Sequence, residues 1–256
     1  MSETLLCLEQ ITVSFDGFKA IENLSLSIQK GTIRVLIGPN GAGKSTMCDA
    51  VIGKVRPVSG QILFKGIDIV RKSEHEIANL GICRKFQTPG VLENLSVIDN
   101  LAVAVRKNKK WYSNLKPQLE TTEQQRIQEL LSLIGLVERG TILAGQLAHG
   151  EKQWLEIGMV VAANPELLLL DEPTAGMTAQ ETAKTAELIQ KLSGQHTILV
   201  IDHDMHFVEL LQAPVSVLHQ GQLFAEGSIE EIRENPKVVE IYLGRAKGEP
   251  EPHARA

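Results

Sequence analysis

The sequence predicts an α/β fold built on a mainly parallel β-sheet covered by helices, and three observations carry that prediction. The apolar runs Ile33 to Ile37, Leu167 to Leu170 and Thr197 to Ile201 lack polar alternation, the pattern of strands buried on both faces. A glycine-rich segment, Gly38 to Thr46, follows the first run directly and opens a helix at Ser45 that runs toward Ile52. Between Leu92 and Ala163 the texture turns to helical periodicity, which reads as an inserted helical subdomain.

Taken in order, LLCLEQITVSF and LSLSI read as strands, and Lys30-Gly31 turns the chain into the run at 33 to 37. Gly81 to Phe86 is a further strand. The insertion carries an apolar stripe, LLSLIGL, at 130 to 136, and the string SVLHQGQLFAEG alternates around Gln220-Gly221 as a small hairpin. The tail GEPEPHARA is Pro-rich and polar and is expected to fray. The basic cluster RKNKKW at 106 to 111 reads as a solvated face.

Composition removes several classes of function. The chain has 256 residues, 43% of them hydrophobic, the size of one large domain or of one domain with an insertion. Its 26 Lys plus Arg against 31 Asp plus Glu leave a net charge of −5, which argues against a nucleic-acid footprint. No apolar stretch approaches the roughly 20 residues that span a bilayer. MSETLLCLEQ lacks the basic start of a signal peptide, so the expected place is the cytoplasm. Cys7, Cys48 and Cys83 are odd in number and scattered, and are expected to be reduced core thiols.

Two segments carry chemistry. Gly38-Pro39-Asn40-Gly41-Ala42-Gly43-Lys44-Ser45-Thr46 fits the phosphate-binding loop G-x-x-x-x-G-K-[ST] between a strand and a helix. Its glycines let backbone amides curl around phosphates, Lys44 reaches the outer phosphates, and the Ser45 hydroxyl suits Mg2+. In LLLLDEP, Asp171 closes a buried strand as a Walker B carboxylate that holds Mg2+ through its water shell. Glu172 beside it is the candidate general base that polarises the attacking water.

This pair of elements around a helical insertion resembles the ATP-binding subunits of ABC transporters over nearly the whole chain. The resemblance implies a P-loop NTPase fold of the ABC type, with a mainly parallel core sheet, an antiparallel β subdomain and the helical subdomain inserted at about 92–163. One ATPase domain would then cover 1–245 and a flexible tail 246–256. It also implies that Phe15 in VSFDGF stacks on adenine, that Gln87 in RKFQTPG senses the γ-phosphate and Mg2+, and that His203 in VIDHDM contacts the γ-phosphate. Thr174 to Met177 stands where the family has its D-loop, without the usual aspartate.

The signature loop, commonly LSGGQ, covers the ATP of the opposite subunit in a dimer. Here it reads Leu147-Ala148-His149-Gly150-Glu151. Ala148 cannot give the serine hydrogen bond to the γ-phosphate. A protonated His149 could replace it as a charged donor, with Glu151 orienting the ring or partly cancelling its charge; the other reading is that His149 points to solvent in a loop with room for it. The implied partners are a second ATPase subunit, identical or paralogous, integral-membrane permeases and, indirectly, a solute-binding protein, with the chain on the cytoplasmic face of the inner membrane. In the family the surface around Pro89 to Leu95 receives a permease helix, which would make Val91 and Leu92 exposed anchors.

EPTAGMT and NPKVVEIYLG resemble the ATPases of branched-chain amino acid importers and their relatives, and within that group LAHGEKQWLEIGM and GICRKFQTPGVLENLSV look closest to urea importers. Two other classes stand beside this one. A soluble ABC protein acting on DNA or ribosomes would need a long coiled coil or tandem cassettes, which 256 residues do not hold. A regulatory subunit with little turnover is the class that Ala148 and His149 raise.

Overall fold

A computed structural model describes residues 3–85, 90–106 and 120–243. The chain opens with two long strands, β1 (Thr4–Phe15) and β2 (Phe18–Gln29), joined by Asp16 and Gly17 at φ of 46° and 87°. Two consecutive positive φ values make the tight turn whose twist matches that of a strand pair. With β4 (Ser59–Phe64) and β5 (Ile67–Asp68) they form an antiparallel sheet ordered β2-β1-β4-β5. The last two strands escape a reading of apolar pattern, because Ser59, Gly60 and Gln61 are exposed and only Ile62 and Phe64 point into the core.

The second sheet combines β3 (Ile33–Ile37), β6 (Ile82–Lys85), β7 (Leu167–Asp171), β8 (Thr197–Ile201), β9 (Val215–His219) and β10 (Gln222–Gly227) in the order β10-β9-β3-β8-β7-β6. All neighbours are parallel except β10 against β9. Alternate residues of the unbroken apolar runs divide between two cores. Val35, Leu168, Leu170, Ile198 and Val200 join the core on one face, and Leu36, Leu167, Leu169, Leu199 and Ile201 join the other. Both faces are dry, so no polar alternation survives in these strands.

Nine α-helices occur among the described residues. They are α1 (Lys44–Val51), α2 (Glu74–Leu80), α3 (Val97–Val105), α4 (Thr121–Leu133), α5 (His149–Ala162), α6 (Ala179–Leu192), α7 (Met205–Leu211), α8 (Ile229–Glu234) and α9 (Pro236–Leu243). Helices α3, α4 and α5 lie between β6 and β7, the stretch read as an insertion. Helix α1 packs Met47, Cys48 and Val51 into the core shared by the two sheets. No helix among the described residues is long and apolar enough to cross a membrane.

Several expectations change. Helix α1 starts one residue earlier than expected, at Lys44. Only Cys48 is a buried thiol, since Cys7 and Cys83 are half-buried. Val91 packs against the core, whereas Leu92 is 44% exposed. Phe86 at the end of the expected strand, Gln87, Pro89, most of the basic cluster and the tail from residue 244 lie outside the described residues.

Candidate functional site

The site forms where β3, β7 and β8 end at the start of α1. The loop from Gly38 to Gly43 turns tightly under neighbouring backbone. A Cβ at Gly38 would stand 2.3 Å from the Leu218 carbonyl oxygen, and one at Gly43, where φ is 100°, would stand 2.6 Å from that of Ala20. Only glycine fits such contacts. The Lys44 ammonium lies back across the loop and donates to the carbonyls of Gly38 (2.6 Å) and Pro39 (3.2 Å).

One cavity brings together Phe15, the loop from Asn40 to Thr46, Asp171 and Glu172, with Phe18, Ala20 and Ile201 completing its wall. Phe15 and Phe18 face each other across the β1–β2 turn and are 46% and 70% exposed. Phe18 was not singled out from the sequence. Its signal was the Asp16-Gly17 pair, which sets both flanking rings on one face of the hairpin.

Asp171 ends β7 with its side chain 3% exposed, and its Oδ2 accepts from Arg84 Nη2 at 2.6 Å. The other arm of that guanidinium reaches Asp49 Oδ1 of α1 at 2.5 Å. Burial works against the charge on Arg84, but the hydrogen bonds to Asp171 and Asp49 outweigh it and raise the pKa. Next to this network the Cys48 thiol is pushed up to about 12 by burial, so it stays protonated and inert.

Glu172 follows in the left-handed region at φ 46°, its N–H donating to the Ile201 carbonyl at 2.8 Å. A non-glycine residue there stores strain, of order 1 kcal/mol or more, which the neighbouring strand holds in place. Its Oε1 is 3.5 Å from Nδ1 of His203, an exposed ring. Asp202 sets the loop that carries His203. It is buried, accepts from the backbone N–H of His203 (2.7 Å) and of Asp204 (3.0 Å), and takes the hydroxyl of Thr174 at 2.7 Å. Sequence reading passed over Asp202 although it adjoins His203.

The signature segment stands apart. None of Ala148, His149, Gly150 and Glu151 lines the cavity. Ala148 caps α5, and the Glu151 carboxylate returns to accept from the Ala148 N–H at 3.0 Å while lying 3.3 Å from Arg139. Of the two roles open to Glu151, orienting the imidazole is not the one seen, because its oxygens serve the helix start and Arg139. His149 Nε2 instead meets the Ala175 carbonyl at 3.0 Å, tying the signature loop to the D-loop position of the same chain. The carboxylate that does face this region is Glu181. Its hydrogen bonds with the backbone and side chain of Thr178 hold it below the usual carboxylate value, with smaller contributions from His149 and the Gly150 N–H.

Comparison with known proteins places this geometry. The ABC transporter family profile matches residues 21–175, and the profile of the branched-chain amino acid ATP-binding cassette transporter matches residues 222–247. The high-affinity branched-chain amino acid transport ATP-binding protein LivG of Escherichia coli K12 is 36% identical over 255 residues, covering 96% of this chain and 100% of that protein. BraF of Pseudomonas aeruginosa, of the same description, is 34% identical over the same shares. Among solved structures, an ATP-binding cassette of an ABC transporter in its ADP conformation aligns with a TM-score of 0.83 at 30% identity, covering 95% of this chain and all of that one. A nucleotide-free cassette aligns at 0.81 and 31% identity, covering 93% of this chain and 98% of that one. With matches along nearly its whole length, the chain belongs to the ABC transporter ATP-binding family, in its branched-chain amino acid group, and is an ATPase.

Proposed function

We propose that the chain hydrolyses ATP in the cavity between Phe15 and Asp171 to drive import of a small polar solute, as one of two ATPase subunits seated on membrane permeases. The observation that carries this reading is the convergence of Lys44, Ser45, Asp171 and Glu172 on one cavity. The backbone N–H groups from Asn40 to Gly43 and the start of α1 receive the phosphates, and Lys44 leaves the Gly38 and Pro39 carbonyls for the outer ones. Phe15 stacks on the base.

The residues present fit Mg2+. The Ser45 hydroxyl and the buried Asp171 carboxylate are hard oxygen donors in the same cavity, and Gln87 would join them. The bound ion supplies charge neutralisation at the β- and γ-phosphates. Glu172 takes the proton of the attacking water, and His203, beside it, meets the γ-phosphate. Ala148 to Glu151 cover the nucleotide of the opposite subunit, which agrees with their position outside their own chain's cavity. Exposed Leu92 is the apolar anchor for a permease helix.

For the solute, the relatives named above favour a branched-chain amino acid. A second reading, urea, rests on the segments LAHGEKQWLEIGM and GICRKFQTPGVLENLSV. Uptake of labelled leucine and labelled urea by the assembled transporter, compared with a transporter carrying Leu92→Asp, tests both. ATP-dependent uptake of one solute, lost in Leu92→Asp while the purified subunit keeps its ATPase activity, is the expected result. Equal loss of both activities would make Leu92 ordinary structure.

A further inference from the structure

Arg84 stands in β6 opposite Leu169 of β7. Residues two apart on a strand share a face, so this register aims Arg84 at Asp171. The guanidinium then spans two carboxylates on different elements, Asp171 at 2.6 Å and Asp49 at 2.5 Å, with only 8% of its side chain exposed. Asp171 is 3% exposed and Asp49 is 21% exposed. Asp49 has a second, more distant cation, Lys54, at 3.8 Å on the solvent side. Three elements of the site thus meet on one side chain: the helix opened by the phosphate loop, the strand that runs toward Gln87, and the strand that ends in Asp171.

We propose that Arg84 is a positioning residue that orients the Asp171 carboxylate and holds a positive charge against it, and so tunes how strongly the site draws a divalent cation. Asp49 is the alternative partner that keeps the guanidinium paired when Asp171 turns toward the metal. The inference rests on the assignment of Asp171 to Mg2+ above. A buried positive charge at hydrogen-bond distance from Asp171 opposes the approach of a second cation, and in a largely dry site that opposition is only weakly screened. The same charge keeps Asp171 from standing as a lone buried anion before Mg2+ arrives. A lysine would carry the charge but not the planar fork by which separate guanidinium nitrogens meet Asp171 and Asp49.

The test is Mg2+ titration of the binding of a fluorescent ATP analogue to the full chain, with turnover and thermal unfolding measured on the same preparations. Arg84→Gln removes the competing cation, and the Mg2+ half-saturation point is expected to fall about tenfold while turnover drops. Asp49→Asn leaves Arg84 committed to Asp171, and the half-saturation point is expected to rise by about threefold. Arg84→Lys keeps the charge and loses the fork, so half-saturation stays within about twofold of the parent while turnover falls.

Opposite shifts in Arg84→Gln and Asp49→Asn are the signature, since damage to packing alone would weaken both. Should Arg84→Gln fail to fold, Asp49→Asn and Arg84→Lys still decide. Asp171→Asn is the control. If it abolishes Mg2+ dependence while the Asp49 and Arg84 variants shift together or not at all, the role of Arg84 is overturned and that of Asp171 stands. If Asp171→Asn leaves the dependence intact, the Asp171 assignment falls and this proposal with it.

Discussion

The phosphate loop and the signature loop both present short glycine-containing turns at the start of a helix, yet they are held in different ways. Around the phosphate loop the constraint is backbone against backbone, with Gly38 under the Leu218 carbonyl and Gly43 under that of Ala20. Around the signature loop the constraint is side-chain. Gly150 lies under the Glu181 carboxylate, Ala148 is tied to Glu151, and His149 reaches Ala175. A backbone constraint tolerates no substituent, whereas a side-chain constraint can be rebuilt with other residues. That difference explains how this chain keeps an intact G-x-x-x-x-G-K-S while its signature reads LAHGE.

The largest expected effect tests whether the first region carries the chemistry. Glu172→Gln should preserve ATP binding, since Lys44 and Asp171 are untouched, and slow turnover by roughly 10² to 10⁴. ATP should then trap a dimer, visible as an earlier peak in size-exclusion chromatography. Turnover at the parental rate would remove Glu172 from the role of base.

A matched pair of glycine substitutions separates the two kinds of constraint. In Gly38→Ala the new methyl meets a carbonyl at 2.3 Å that belongs to β9 and cannot move alone. The expected cost is about 2 to 3 kcal/mol, read as a lower denaturation midpoint. In Gly150→Ala the nearest atom, at 2.4 Å, is the end of a flexible glutamate. The expected cost is about 1 kcal/mol, because Glu181 moves aside only by loosening its bonds to Thr178. Equal losses would collapse the distinction.

The smallest effect concerns Glu181, which closes a reciprocal cap with Thr178 at the start of α6. Its carboxyl is held below the ordinary 4.5 in the folded chain. A lowered folded value means that its stabilisation is complete above the ordinary value and is lost as pH falls through the lower folded one. Glu181→Gln should therefore unfold at a slightly lower temperature than the parent at pH 7, and the gap should close in strongly acidic buffer. A gap that persists in acid would assign it to packing instead of charge.

The phosphate loop and the LLLLDEP strand were legible from the primary structure because each is a local signal. Neighbouring residues supply the turn, the dipole and the carboxylates, and a short apolar run ending in Asp-Glu-Pro fits a strand with both faces covered. The Asp16-Gly17 turn that carries Phe15 is also a local feature, but the strand reading did not pair β1 with β2 or give the exposure of Phe18. The signature loop was legible as a position but not as a geometry, since nothing in its spacing shows that Glu151 turns back on the Ala148 N–H and meets Arg139. The remaining contacts join residues far apart in the chain, with Arg84 and Asp171 separated by 87 positions, Arg84 and Asp49 by 35, and Asp202 and Thr174 by 28. Strand order and register decide such pairings, and a one-residue slip in the β6–β7 register would turn Arg84 to the opposite face. Local chemistry marks where phosphates bind; only the assembled sheet decides which buried cation answers the carboxylate beside them.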